Sequence, residues 1–532
     1  MSPDCSEDKQ PQINITMKIQ ELFPQTANGE SAATASDYIQ KLKSHRYLDL
    51  PDVESANKSL DPKQHDINNK ILRPDKKVKI DAGDDMSNAE SARNIIDVNG
   101  GESENKGNYR TEKVARVAVA IQKLIINRAV SFCFGNPPTY NAAPENEGQE
   151  AVLKAFNRIM SDVKCNSLNR KIARSIFSYK DAAEYWFPSE QKRKHKKYGF
   201  ETPFKLRCVV FSPKNGDALY PYFDESGDML AFSRSFAHVD GEKNRYDYFE
   251  TWTDEEHWLW LNGKNGYEVV EGFPKKIEIG KIPVVFGHQD HFECEDIDKL
   301  VDRLEKLLSN FADTNDYHAS PKIFTTGEIK GWAKKGESGA VIEGEDGATM
   351  QYVSWQQAPE SVKLEIETLL KLIYTITQTP DISFDAVKGL GAISGLALKL
   401  LFMDAHLKVQ DKREIFDDYL QRRANVVKAW IGYMNTKLEA DADELDIEPE
   451  IIPYMLTSEI DELNYWLTAN GNKPVISQEE SVASVGISKN PEQTMQKLRE
   501  QSDRENSFTI GEPIIDDDED DDDKRGGKGD DE

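Results

Sequence analysis

The feature that most constrains this fold is a helical pattern running without a break from about Ser394 to Asn435. At about 1.5 Å per residue, such a helix would be roughly 60 Å long. Thr379-Pro380 ends the preceding helix, and Asp381 to Ile393 is predicted to be a glycine-containing loop. Few compact enzymes need a helix of that length, so an elongated architecture of several modules is expected.

Length and composition indicate a folded protein without membrane spans. The chain has 532 residues, of which 38% are hydrophobic and eight are Trp, enough for three or four packed modules. No stretch approaches 18 consecutive apolar residues, and the first residues lack the basic and apolar regions of a secretory signal. The five cysteines are odd in number and scattered, which predicts reduced thiols in a cytoplasm-like compartment: Cys5, Cys133, Cys165, Cys208 and Cys294.

The charge distribution argues against tight binding of nucleic acid. The formal net charge is −27, and residues 512–532 account for −9 of it, with twelve acidic and three basic residues. Such a surface repels phosphates, whereas tight DNA binders obtain affinity from Lys and Arg contacts.

The N-terminal half is predicted to pass from a polar arm to helices and then to strands. Residues 1–105 are polar, with one helix around Ser36 to Ser44 and a short strand at Lys77 to Ile80. Apolar residues at helical spacing then predict three helices, at Thr111 to Phe132, Gly148 to Val163 and Leu168 to Trp186.

From Phe204 to Phe286 the apolar period changes to two, with Asn-Gly and Ser-Gly turns between the runs. This pattern predicts an antiparallel meander covered by the preceding helices. The predicted strands are Phe204 to Phe211, Leu219 to Phe223, Leu230 to Phe236, Arg245 to Trp252, His257 to Leu261 and Tyr267 to Val270.

Two amphipathic helices are predicted to bracket a small β insert. The first runs from Asp296 to Asp316 and the second from Pro359 to Thr379, and each has one apolar face. After the long helix, the C-terminal part carries a predicted helix at Pro491 to Arg504 and an acidic run from Asp516 to Asp523.

This order of parts resembles the portal proteins of long-tailed double-stranded DNA phages over residues 105 to 505. The specific pieces are Phe134-Gly-Asn-Pro-Pro, Ile282-Pro-Val-Val-Phe-Gly-His and, above all, Ser394-Gly-Leu-Ala-Leu-Lys. Weaker support comes from Leu219-Tyr-Pro-Tyr-Phe-Asp and Ile476-Ser-Gln-Glu. The acidic run and residues 1–105 depart from the family's pattern.

The resemblance implies an α+β portal fold with wing, stem, clip, long wing helix and helical crown. The implied divisions are an N-terminal arm, partly disordered, at 1–105, a wing of helices and antiparallel sheet at 106–295, stem helices at 296–318 and 359–379, a clip at 319–358, a tunnel loop at 380–393, the long helix and wing return at 394–474, a crown at 475–510, and a disordered acidic tail at 511–532.

The resemblance also implies a function without catalysis or cofactors. Portal proteins form a ring, here expected to have twelve copies, at one capsid vertex of the virion, after assembly in the host cytoplasm. Double-stranded DNA passes through the ring without sequence-specific binding, packaged by the terminase large subunit and later ejected. The expected partners are terminase, a head-tail adaptor, and the major capsid and scaffolding proteins, with no membrane.

The implied DNA-facing residues lie in the tunnel loop. They are Asp381, Phe384, Asp385, Lys388, Gly389 and Gly391. The glycines allow the backbone to bend, Lys388 can contact phosphates transiently, and the aspartates keep the net attraction low. On the residues alone, an ordinary loop lysine is the favoured interpretation of Lys388.

Two further sets of residues are implied by the same resemblance. The start of the long helix is Ser394, Gly395, Ala397 and Lys399, with Ser394 as N-cap and small residues that allow close approach of a neighbouring backbone or simple packing within the helix. The clip carries a basic, partly apolar set that suits a terminase or adaptor, or a generic exposed hairpin: Lys322, Lys330, Trp332, Lys334 and Lys335.

Two other functions remain open on the residues alone. A metal-dependent nuclease or hydrolase could use a cluster at the end of a strand, formed by His288, Asp290, His291, Glu293, Cys294, Glu295 and Asp296, although acidic residues are also favoured where a helix begins. The run Lys192 to Lys197 could bind nucleic acid, or form a solvated tip between helix and sheet. No phosphate-binding loop or hydrolase motif is present, and no metal ligand is expected.

Overall fold

The computed structural model describes residues 34–44, 49–79, 109–318, 322–326, 347, 349–353, 358–382, 402–454, 468, 477 and 491–509. Contacts divide the chain into two units. The first contains every described element up to residue 454, and the second contains the helix Pro491–Thr509.

The N-terminal part contains two helices and two short strands. They are α1 (Ala35–Ser44), α2 (Val53–Leu60), β1 (Lys76–Lys79) and β2 (Tyr109–Glu112), and β1 pairs antiparallel with β2. The predicted helix and strand of this part are therefore confirmed. Helix α2 was not predicted, and it begins where the Asp52 side chain accepts a hydrogen bond from Ser55 N at 3.0 Å.

Three helices and a short strand follow. They are α3 (Ile121–Phe134), β3 (Thr139–Asn141), α4 (Glu147–Asp162) and α5 (Cys165–Tyr179). The prediction for α4 is confirmed. The prediction that α5 continues to Trp186 is wrong, because Lys180 has a left-handed φ of 67° and residues from Asp181 onward form a strand.

The predicted start of α3 at Thr111 is also wrong, because residues 113–120 have no helical structure. Alternate backbone amides of this segment donate to side chains of a later helix: Ala115 N to Asp313 Oδ1 at 2.7 Å, Val117 N to Ser309 Oγ at 2.9 Å and Val119 N to Glu305 Oε1 at 2.8 Å. Two extended residues advance about 6.6 Å and four helical residues about 6 Å, so the two spacings match.

Three strands form one antiparallel sheet over the helices. Their order is β12 (Val284–His288), β4 (Asp181–His195), β5 (Thr202–Phe211). The predicted strand at Phe204 to Phe211 is confirmed, but it pairs with β4 rather than with the meander.

The six strands between residues 218 and 276 form the predicted antiparallel meander. They are β6 (Ala218–Phe223), β7 (Met229–Val239), β8 (Arg245–Trp252), β9 (Glu256–Gly263) and β10 (Gly266–Val269), with β11 (Lys275–Lys276) beside β9. Helix α1 packs on this sheet through Ile39 and Leu42.

Two helices bracket a short hairpin, as predicted. They are α6 (Asp298–His318) and α7 (Ala358–Ile376), with β13 (Lys322–Thr326) and β14 (Thr349–Val353) between them. Leu304 and Ile373 belong to one shared core, and Arg303 Nη2 lies 2.6 Å from Glu365 Oε1 across the two helices.

The long helix α8 (Met403–Met434) has 32 residues and is about 48 Å long. Its residues from Phe416 to Ile431 lie in the largest hydrophobic core with α3, α4 and α5. The predicted helix start at Ser394 lies outside the described residues. After α8 come α9 (Glu439–Glu444) and β15 (Glu448–Glu450), which pairs with β3.

In the second unit, α10 (Pro491–Thr509) confirms the predicted helix. No described helix is both long and apolar enough to cross a membrane. The mixture of helices with antiparallel sheets confirms the predicted α+β class.

Candidate functional site

The candidate site is formed by the two chain segments that flank residues 383–401, between α7 and α8. Residues 377–382 leave α7, and Phe402 precedes α8; both ends are described. We name these ends, with the side chains that hold them, the loop base. Its members are Arg128, Phe132, Glu293, Thr377, Pro380, Phe402 and Lys408.

Lys408 ties α8 to the end of α7. Its ammonium donates to Thr377 O at 2.7 Å and lies 2.6 Å from Glu293 Oε1. Lys412, one turn later, lies 3.1 Å from Glu293 Oε2. A cation is favoured at a helix C-terminus because the last carbonyls lack partners within the helix. Buried Lys408 therefore joins α7, α8 and the segment before α6.

The end of α7 is closed by its own backbone. Gln378 adopts a left-handed φ of 47°, and Thr379 N donates to Tyr374 O at 2.9 Å. Thr377 Oγ1 donates to Ile373 O at 2.8 Å. Carbonyls of the last turn thus have partners, and the chain leaves the helix in a defined direction.

Helix α3 holds both ends of the loop base. Arg128 Nη1 donates to Pro380 O at 2.9 Å, and its guanidinium lies 5.6 Å from the Tyr374 ring centroid. One turn later, Phe132 meets Phe402 edge-to-face with ring centroids 6.2 Å apart. Residues 128 and 132 lie on the same helix face. Pro380 and Phe402, which flank residues 383–401, therefore contact consecutive turns of one helix.

The cysteines near this region are protonated thiols at neutral pH. Burial raises the pKa of Cys133 to about 12, and it also raises the pKa of Cys294. All four described cysteines are free, as predicted. None of the four thiols is shifted toward the reactive thiolate.

Most of the predicted DNA-facing residues lie outside the described part of the chain. Asp381 is described and follows Pro380 directly. The other DNA-facing candidates are not described: Phe384, Asp385, Lys388, Gly389 and Gly391. The residues predicted to start the long helix also lie outside the described part: Ser394, Gly395, Ala397 and Lys399. In the predicted clip, Lys322 begins β13, while Lys330, Trp332, Lys334 and Lys335 lie outside the described residues.

The candidate metal ligands do not converge. His288 Nδ1 lies 2.7 Å from Asp181 Oδ1, and exposed His291 lies 3.5 Å from Glu295. Glu293 binds the two lysines, and Cys294 Sγ donates to Gln122 O at 3.6 Å. Among the described residues, no group of three His, Cys, Asp or Glu side chains could hold a metal ion.

The predicted position of the basic run Lys192 to Lys197, between a helix and a sheet, is wrong. Residues 192–195 end strand β4, and a turn leads to β5. Lys194 and Lys197 lie 3.9 Å from Glu201 and Asp162 respectively. Part of its charge is therefore balanced locally.

Sequence reasoning missed a buried ion pair that joins α8 to the sheet. Arg423 Nε and Nη2 donate to the two Glu184 oxygens at 2.6 and 3.0 Å, and Nη1 donates to Asn169. Both charged side chains are at most 1% exposed. It also missed Lys408, for which the only signal was charge at 408 and 412 beside apolar positions of the long helix.

The solved structures similar to this chain, at low identity, include three of gene transfer agent particles. The neck of an empty gene transfer agent particle computed with C6 symmetry has 10% identity and a TM-score of 0.36, covering 69% of this chain and 89% of that chain. The neck of a native particle computed with C12 symmetry has 11% identity and a TM-score of 0.34, covering 69% and 88%. The virion of a native particle has 11% identity and a TM-score of 0.32, with the same coverage.

A family comparison covers most of the chain. No curated protein matches it. The family described as "Phage portal protein, SPP1 Gp6-like" matches residues 39–507 of the 532. The match confirms the resemblance predicted from the motifs and extends it into the N-terminal arm. The chain thus belongs to the SPP1 Gp6-like family of phage portal proteins.

Proposed function

We propose that this protein forms a closed ring of twelve copies at one vertex of a phage capsid. Double-stranded DNA would enter through the ring during packaging by terminase and leave through it at ejection. The observation that carries this proposal is the family match over residues 39–507. The protein would have no enzymatic role, and ATP hydrolysis would belong to a separate motor.

In this proposal the parts of the chain take the positions in the ring that the family resemblance implies. Helices α6 and α7 form the stem, and residues 319–358, which include the β13–β14 hairpin, form the clip that docks terminase and later a head-tail adaptor. Residues 380–393 form the tunnel loop, and residues 475–510 the crown. The ion pair between Arg303 and Glu365 supports the first of these assignments, because it crosslinks the two stem helices.

The loop base gives this function a mechanical basis. A segment that contacts moving DNA needs ends that do not move with it. Arg128 and Lys408 hold one end by bonds to Pro380 O and Thr377 O, and Phe132 holds the other through Phe402. We infer that the DNA-facing residues, Lys388 above all, change conformation while the frame stays fixed.

The overall charge suits a conduit. A net charge of −27 disfavours tight phosphate binding over the protein as a whole. A single loop lysine repeated around the ring would then provide weak contacts that break easily. This balance lets DNA advance without being retained.

Electron microscopy of the purified protein tests the ring, and a packaging assay tests the loop. We expect negative-stain images to show closed rings. Lys388→Ala and Gly389→Pro should reduce packaged DNA in a complementation assay while rings still form. Lys264→Ala, an exposed change in the β9–β10 turn, is the matched control and should package normally.

Two results would contradict the proposal. Protein that stays monomeric under all assembly conditions would remove the ring. Loss of rings in the Lys388 or Gly389 variants would instead assign the loop to packing between copies.

A further inference from the structure

A concave groove with a basic rim lies beside α5 and shares no lining residue with the loop base. Its volume is about 740 Å³. We name it the basic groove; its cationic lining residues are Lys123, Lys164, Lys171, Arg174 and Lys214. All five side chains are exposed, and no carboxylate lines the groove.

The local fold places these cations together. Lys164, Lys171 and Arg174 follow one another at helical spacing at and after the start of α5, Lys123 comes from α3, and Lys214 from the turn after β5. The lining also includes apolar residues, Leu60, Ile126, Val163 and Leu168, beside buried hydroxyl side chains of Ser175, Ser178 and Ser212. None of the five cations forms an ion pair with a residue that the structure describes.

Such a groove is unexpected in this protein. The chain has 94 acidic and 67 basic residues, so most cations could find a carboxylate in the same chain. Five like charges around one groove repel one another, and this repulsion is relieved when an anionic group from outside enters. The groove therefore points to an acidic partner.

The same chain carries an acidic face elsewhere. Residues 439–450 contain seven carboxylates and no cation. We define the acidic face by its exposed members, which are Glu439, Asp443, Glu444, Asp446, Glu448 and Glu450. Among these, Asp443 has a cation within 4 Å in the described structure, Lys281 Nζ at 3.9 Å, and buried Lys428 also interacts electrostatically with Asp443 and Asp446.

This face is held rigidly. Helix α9 packs on α4 so closely that a Cβ on Gly148 would lie 2.0 Å from Asp441 Oδ2, and β15 pairs with β3. Exposed Ile452, two residues beyond the face, is an apolar group that could meet apolar side chains of the groove such as Leu60 and Val163. The acidic face is thus preorganised to dock without a large loss of entropy.

The groove and the acidic face occupy different parts of the subunit. Gly148 lies in the first turn of helix α4, next to Asp441. Lys164 follows the last turn of the same helix, which has 16 residues and is therefore about 24 Å long. Two complementary surfaces on separate parts of one subunit form a heterologous contact. Such a contact repeats head to tail and closes into a ring when the rotation allows.

We propose that the basic groove of one copy receives the acidic face of the next copy. This inference rests on the proposed ring and names the surfaces that build it. A second copy is favoured over DNA as the occupant, because a concave groove lined by both basic and apolar side chains suits a protein ridge bearing carboxylates and Ile452. A duplex would contact only the rim.

Reciprocal charge reversal tests the pairing. The groove variant is Lys171→Glu with Arg174→Glu, and the face variant is Glu444→Lys with Glu448→Lys; all four side chains are exposed. Each variant alone places like charges across every contact, so ring yield should fall by roughly a hundredfold. An equimolar mixture restores opposite charges at every contact if the two variants alternate. Rings containing equal numbers of both are therefore expected.

The readouts are negative-stain images and native mass spectrometry with one variant tagged, beside wild-type rings as reference. Thermal unfolding verifies that each variant is folded. The pairing is overturned if either variant alone forms rings at wild-type yield, or if two folded variants also fail when mixed. Groove-variant rings that assemble normally but retain less DNA would assign the groove to nucleic acid instead. Absence of rings in the wild type would contradict the proposed function itself, which the variants cannot do.

Discussion

Glu305 Oε1 lies 2.6 Å from His65 Nδ1, and the two side chains are 5% and 1% exposed for His65 and Glu305 respectively. The same oxygen accepts a hydrogen bond from Val119 N at 2.8 Å. One buried carboxylate on α6 thus holds both the N-terminal segment and the extended segment before α3. Arg73, 2.8 Å from Asp313, repeats the arrangement two turns later.

The His65–Glu305 pair predicts a pH-dependent attachment of residues 53–79. The hydrogen bond to Glu305 raises the pKa of His65 above 6.5. The stabilisation is therefore complete below pH 6.5 and is lost as the pH rises through the raised pKa of the folded state. His65→Gln should lower the free energy of opening of residues 53–79 by up to about 3 kcal/mol at about pH 6. The lower opening free energy would be measured as faster amide hydrogen exchange in these residues.

The wild type should approach the variant at about pH 9, where the histidine is neutral in both states. Hydrogen-exchange mass spectrometry at the two pH values measures the difference. An equal difference at both would show that the charge of His65 has no part in the attachment.

Ser309→Ala tests the hydrogen bonds along α6. The fully buried hydroxyl accepts from Val117 N, and its loss leaves that amide without a partner. We expect a loss of about 1–3 kcal/mol in the free energy of unfolding. Thr368→Ala, at an exposed position of α7, is the control and should change stability by less than about 0.5 kcal/mol. If Ser309→Ala and Thr368→Ala lower the free energy of unfolding equally in chemical denaturation, the hydrogen bond from Val117 N to Ser309 does not stabilise the fold.

Lys408→Met tests the loop base. The change removes the donor to Thr377 O and one of two cations at Glu293, so we expect destabilisation by about 3 kcal/mol. Lys412→Met is the matched comparison; it removes only the second cation and should have the smaller effect. Adding Glu293→Gln to Lys408→Met should recover part of the loss, and a double-mutant cycle in denaturant measures the coupling. Purely additive effects would show that the pair is not coupled.

Arg423→Lys tests whether geometry or charge matters in the buried pair. Lysine keeps the charge but cannot donate two parallel bonds to Glu184 while also reaching Asn169. A loss of about 3–5 kcal/mol is expected, as for breaking a buried pair. Replacing both partners, as Arg423→Met with Glu184→Leu, should cost less than either single change. Calorimetry of Arg423→Lys, Arg423→Met, Glu184→Leu and the double variant measures these differences in stability. A double variant less stable than both of its single variants would contradict this account.

Local patterns identified most elements correctly where the neighbouring chain supplies the partners. Helices α4, α6 and α7 satisfy their backbone groups internally, and the strands of the meander pair with the next strand across short turns, so periodicity and turn residues suffice. The prediction failed at Thr111 to Ala120 and at Asp181 to Trp186. In both places helical propensity was overridden by partners far along the chain.

The candidate site divides in the same way. Thr379-Pro380 identified the end of α7 from residues alone, while the loop predicted after it lies, from residue 383 on, outside the described residues. The side chains of the loop base were not foreseeable, because Arg128 reaches Pro380 across 252 positions. The same holds for the buried pair that joins α8 to the sheet, in which Arg423 reaches Glu184 across 239 positions.

The sequence by itself determined most of the helices and strands, because periodicity and turns depend on neighbouring residues. It also determined the family motifs and the acidic balance, which are properties of the residues themselves. Only the tertiary structure decided which amides of residues 113–120 bind α6, which buried charges pair, and where unpaired cations gather. These outcomes depend on burial and on distances between segments that chain order does not encode.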